Sequence, residues 1–243
     1  MVEGAGKVDL RLGYAYTSDR RRPGQRGRRS RHYTRARLAT RPAVAAPFPP
    51  PDGLTGWAAT GPGQRSRWGG DGVQVLLSTE TIAQRVAELS ARIAADHPDE
   101  LPVFLGVLKG AAPFLVDLVR CLPEARRAEA VYDFVDARSY AGTTSRGVVE
   151  LRSAGQMELT ARPVLVVDTI VDSGLTLRTV LDWVLGQGPA SVGVCTLLDK
   201  SSRRTCPVPV DYRGFFIEDF FVVGYGLDHD QRYRALPYVA VLR

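Results

Sequence analysis

Val164-Leu-Val-Val-Asp-Thr-Ile-Val-Asp-Ser-Gly-Leu-Thr-Leu177 decides how this chain is read. An apolar β-type run ends in acidic residues at Asp168 and Asp172, passes through small hydroxylated residues, and opens into a helical pattern. A strand-loop-helix of this kind offers backbone N–H groups at a helix N-terminus, where a phosphate-sized anion binds. Gly174 lets the chain approach a ligand closely, and Ser173 and Thr176 add hydroxyl donors. The flanking carboxylates point to a sugar phosphate rather than a bare nucleotide grip. Taken alone, the pattern reads first as an ordinary capped turn. The GxxxxGK[ST] loop is absent from the chain.

Working outward, the same alternation recurs. Ser78 to Thr81 offers capping hydroxyls, and Ile82, Val86, Leu89 and Ile93 follow at helical spacing. Leu101–Val107 predicts a buried strand, Lys109-Gly110 a turn, and Phe114, Leu115, Leu118 and Val119 a short helix. Glu129–Val135 predicts a strand, and residues 139–147 a mobile polar loop. Strands over 163–167, 191–198 and 220–224, with a helix over 175–186, complete the series. The fold class is therefore α/β, a mostly parallel central sheet flanked by helices with ligands at the carboxyl ends of its strands.

The net charge of +6 does not describe this domain. Residues 1–72 carry 14 Lys and Arg against 5 Asp and Glu, whereas the whole chain carries 32 against 26. The rest is thus mildly acidic, and a nucleic-acid function read from overall charge fails. Residues 1–72, rich in Arg, Pro and Gly, bury too little to offset chain entropy and are expected to be a disordered tail. An inert tail, or translated sequence upstream of the true start, is the favoured reading. A nucleic-acid arm and an organelle transit peptide are the competing ones. Residues 73–243 form the folded domain.

Cys121, Cys195 and Cys206 lack CxxC spacing, and two of them lie in apolar surroundings that suit buried thiols in a reducing cytosol. His32, His97 and His229 show no ligand spacing, which argues against zinc. With no membrane-length apolar run and no secretory core, a cytoplasmic protein is expected.

Four regions together resemble the type I phosphoribosyltransferases, and within them the hypoxanthine-guanine branch. They are Leu108-Lys-Gly110, Ser139-Tyr140, the Val164–Leu177 signature, and the C-terminal segments 197–204 and 220–234. The likeness spans about residues 75–242. The signature marks only the superfamily, and the C-terminal segments point to a 6-oxopurine enzyme. The resemblance implies a small hood region on the sheet. It also implies purine salvage: IMP, and GMP, made with pyrophosphate from 5-phosphoribosyl-1-diphosphate and the free base.

Carried over by motif, the resemblance places the 5′-phosphate on Asp172, Ser173, Gly174, Leu175 and Thr176, with Asp172 also the general base for the purine N7 proton. It assigns the ribose to Asp168 and Thr169, and pyrophosphate to Lys109, Gly110 and Arg234. The peptide before Lys109 is often cis in this family. Lys200 would donate to the purine O6, favouring a 6-oxo over a 6-amino group. Phe221 would stack on the base, with Val222 and Asp228 at its edge. Asp168 and Asp228 would hold Mg²⁺, and Ser139 and Tyr140 would begin a lid. A homodimer or homotetramer is implied, with no membrane partner and no nucleic acid on the tail.

One departure stands out. The family usually carries two adjacent acids at the start of the signature, and here Asp168 is followed by Thr169. Two rivals remain: a xanthine- or guanine-preferring transferase, because Lys200 would accept any 6-oxopurine, and a non-catalytic regulator of the same fold that binds nucleotide or RNA, with Thr169 as the sign of lost catalysis.

Overall fold

The computed structural model describes residues 73–139, 149–153 and 156–242. The tail over 1–72 and most of the polar loop, Tyr140 included, lie outside the described residues. Ser139 is the last residue of a strand.

Strand β1 (Val73–Leu77) leads into helix α1 (Thr79–Asp96), whose start is capped as the hydroxyls predict: Ser78 Oγ accepts from the Thr81 N–H at 3.2 Å. Ile82, Val86, Leu89 and Ile93 are all buried, so the spacing marks one face. That face packs with Phe114, Leu115 and Leu118 of α2 (Ala112–Arg120), reached through β2 (Val103–Leu108). After the short α3 (Glu124–Arg127) come β3 (Tyr132–Ser139), β4 (Val149–Ser153), β5 (Pro163–Val171), α4 (Leu175–Gly186) and β6 (Ser191–Asp199). A single 3-10 turn, then β7 (Tyr212–Phe216), β8 (Val222–Val223) and β9 (Val239–Leu242) complete the described chain.

The main sheet has six strands in the order β4-β3-β2-β5-β6-β7, all parallel except β4, which runs antiparallel to β3. Alternation along β2 and β5 assigns the two faces. Phe104, Leu165 and Val167 join α1 and α2, while Val103, Leu105, Val164 and Val166 join Leu177, Val180 and Val184 of α4. With both faces covered, the central strands read as continuous apolar runs. Because the strands are parallel, the connections from β2 to α2 and from β5 to α4 emerge at one edge, the carboxyl end.

The second sheet is antiparallel, in the order β1-β9-β8, and forms the hood. Here the expectation for 220–224 is corrected. Only Val222 and Val223 are strand, and they pair with β9 rather than extending the parallel sheet. Gly224, at φ 95°, turns the chain away immediately. The strand expected over 129–135 starts later and runs on to Ser139. Burial of two thiols is also corrected: Cys195 is buried, Cys206 half-buried and Cys121 exposed. Among the described residues no helix is long and apolar enough to cross a membrane.

Candidate active site

A cavity of about 530 Å³ opens where β2, β3 and β5 end. Three strand ends and one hood segment line it: Lys109 and Gly110 after β2, Asp136 on β3, Asp168 to Thr176 after β5, and Asp228 with Arg234 from the hood. Residues far apart in sequence are thus brought together at the edge predicted for ligands.

The loop after β5 is shaped by Gly174, which sits at φ 87° and begins α4. A side chain there would overlap the carbonyl oxygen of Cys206, so only glycine lets the loop lie this close to the 204–206 segment. Behind the loop, the N–H groups of Thr205 and Cys206 donate to the Ser173 carbonyl at 3.1 and 2.9 Å. Leu175, at the helix start, faces outward and does not line the cavity.

Across the cavity the Leu108–Lys109 peptide is cis, as the resemblance implies. Gly226, at φ 96°, comes so close to the Gly110 carbonyl that no Cβ would fit between them. Arg234 Nη1 donates to the Gly226 carbonyl at 2.6 Å, and its Nη2 pairs with Asp228 Oδ1 at 2.7 Å. Asp228 Oδ2 also accepts from the Gln231 N–H at 3.0 Å.

Lys200 follows β6 and is only 4 % exposed. Its ammonium lies 3.1 Å from Asp219 Oδ1 and 3.9 Å from Asp172 Oδ2. Arg203 stands 3.8 Å from the other Asp172 oxygen. A buried cation therefore sits beside the loop without lining the cavity itself. Phe221 is 55 % exposed, with His229 edge-on at 5.4 Å, while the Val222 side chain is buried in the core. Exposure of so large a ring next to the hood rim is what a stacking platform requires.

Several residues of the site escape motif reading: Asp136, Asp199, Arg204, Asp219 and Gln231. Asp199 is detectable, since it is a carboxylate continuing the apolar run of β6, where only a paired acid is tolerated. Asp219 and Gln231 carry no such pattern.

The family model for the phosphoribosyl transferase domain matches residues 72–230. The chain belongs to the phosphoribosyltransferase family. It is 39% identical over 171 residues to a hypoxanthine-guanine phosphoribosyltransferase of Bacillus subtilis, covering 70% of this chain and 93% of that one. It is 41% identical over 171 residues to a hypoxanthine phosphoribosyltransferase of Escherichia coli, covering 69% and 93%. A crystal structure of a hypoxanthine-guanine phosphoribosyltransferase from Bacillus anthracis matches with a TM-score of 0.63 at 36% identity, covering 70% and 99%. A structure of a hypoxanthine phosphoribosyl transferase from Trypanosoma cruzi matches with a TM-score of 0.66 at 34% identity, covering 72% and 94%.

Electrostatics single out one acid of this phosphoribosyltransferase. Asp168 keeps some solvent access at the cavity wall, yet the protein mass around it pushes its carboxyl up from 3.8 to about 7, against the opposing pull of the Thr169 and Ile170 N–H groups. A raised acid stabilises the fold below the unfolded value, and that contribution is lost as pH climbs through the folded one. Thermal stability should accordingly fall between pH 4 and 7 through this group. Asp168→Asn should flatten that slope in metal-free thermal melts; an unchanged slope would assign it elsewhere.

Proposed function

We propose that this phosphoribosyltransferase makes IMP and GMP from 5-phosphoribosyl-1-diphosphate and hypoxanthine or guanine, releasing pyrophosphate. The observation carrying the base assignment is Lys200, a buried ammonium beside Asp172 at the end of β6. A fixed cation donor suits a 6-oxo group and leaves a 6-amino group facing like hydrogens. In this reading N9 of the base bonds to C1 of the ribose as the C1–O bond to pyrophosphate breaks. The N7 proton passes to Asp172.

The loop 172–176 takes the 5′-phosphate on N–H groups at the start of α4. Asp168 and Thr169 face the ribose, Lys109, Gly110 and Arg234 the pyrophosphate, and Phe221, Val222 and Asp228 the base. Asp168 suits a divalent cation, since burial makes its charge costly alone. Asp228 suits one less well, with both oxygens already engaged. Among the described residues no three potential metal ligands cluster. Mg²⁺ fits that pattern, because it binds through one or two carboxylates plus substrate oxygens and waters. When bound it would supply charge to the departing pyrophosphate. Ser139 and Tyr140 start the lid. Family membership supports a homodimer or homotetramer working in the cytoplasm.

The test is a panel of hypoxanthine, guanine, xanthine and adenine with 5-phosphoribosyl-1-diphosphate and Mg²⁺, read as nucleotide formed. IMP and GMP are expected and AMP is not; no nucleotide from any base would sink the reading. Lys200→Ala should lower kcat/KM for hypoxanthine by about 10- to 100-fold, the usual worth of a charged hydrogen bond. A chain shortened to begin at Val73 keeps the β1–β9 pairing and should match the full chain in kcat.

A further inference from the structure

Resting on that reading, we propose that Arg204 is a positioning residue that aims the N–H groups of the 172–176 loop at the 5′-phosphate. In a trans peptide the C=O and N–H point in opposite directions, so turning a carbonyl inward turns its N–H outward. The carbonyls of Val171, Asp172 and Ser173 all turn away from the cavity, toward segment 199–206. Val171 O accepts from the Lys200 N–H at 3.0 Å and from Arg204 Nη2 at 3.1 Å. Ser173 O accepts from the N–H groups of Thr205 and Cys206.

The Asp172 carbonyl is different. Its one donor among the described residues is Arg204 Nε, at 3.0 Å. The N–H of that same peptide belongs to Ser173, the second residue of the loop. Arg204 therefore sets the first peptide of the loop alone, and shares the one before it.

The arginine is itself held in place. Its Nη2 makes a short ion pair with Asp199, a buried carboxylate that also accepts from Arg213 Nε at 2.7 Å. Its Cδ lies where any Cβ on Gly174 would press at 3.0 Å. The guanidinium fork spans two carbonyls and one carboxylate, which an ammonium cannot reproduce. Arg213 remains on Asp199 when Arg204 is removed, so the buried acid stays paired and the fold should survive.

A positioning role predicts loss of affinity for the phosphate, not for the rest of the nucleotide. Calorimetric titration of GMP and guanosine into the full chain separates the two. Arg204→Gln should weaken GMP about 10- to 100-fold while guanosine binding stays within twofold. Arg204→Lys should restore the melting temperature through Asp199 without restoring GMP affinity, and supplies the measurement should the glutamine variant fail to fold. Equal losses for GMP and guanosine, or unchanged GMP affinity, would overturn the role. A wild-type protein that binds GMP no better than guanosine would instead bring down the functional reading beneath it.

Discussion

Asp172→Asn is expected to lower kcat for IMP formation by about 1,000-fold, within the range that general acid–base groups contribute. In the proposed reading this carboxylate takes the N7 proton. Its Oδ1 is buried with no hydrogen-bond partner among the described residues, while Lys200 and Arg203 stand 3.9 and 3.8 Å from its two oxygens. An acceptor with no donor of its own is open to a hydrogen bond from the base. Asparagine keeps the shape but cannot take that proton. The backbone of the loop does not depend on the side chain, so KM for 5-phosphoribosyl-1-diphosphate should change little. Steady-state kinetics would separate the two effects, and a kcat within threefold of wild type would remove Asp172 as the base.

Gly174→Ala should do the opposite, damaging the cradle before the chemistry. Its φ of 87° costs an L-residue about 1–2 kcal/mol. The new methyl must also overlap the Cys206 carbonyl, an overpacking worth about 1–3 kcal/mol. Together these imply a loss of about 2–5 kcal/mol and a melting temperature lower by about 5–15 °C. The loop can relieve the clash only by lifting off the 204–206 segment, which breaks the bonds to Ser173 O. KM for 5-phosphoribosyl-1-diphosphate should therefore rise sharply in protein that remains folded. A melting curve and a KM both unchanged would show that the segment yields instead.

How much of this was legible in the sequence depends on the kind of order. The buried strands β2, β5 and β6 and the capped helix α1 announce themselves, because burial on both faces or on one stripe leaves a period in the residues. The edge strands β4 and β7 do not, since a strand with one neighbour carries Glu, Arg and Gly without penalty. The hood was misread at 220–224 for a related reason. The apolar run there has the composition of a strand in the main sheet, yet only Val222 and Val223 pair, with β9, before Gly224 turns the chain. The loop 172–176 stood out because its glycine and hydroxylated residues lie together in one stretch. Arg204 and Asp219 were not, because their roles arise from which atoms they meet after folding.

The contact between Gly226 and Gly110 has no side chain in it. There the backbone of the hood and the backbone of the segment after β2 meet directly. The Gly226 carbonyl in turn accepts from Arg234, so the arginine hangs on the same backbone joint that adjoins Lys109 and Gly110. In the proposed reading the two groups assigned to pyrophosphate, the Lys109–Gly110 segment and Arg234, thus both depend on one contact between two glycines.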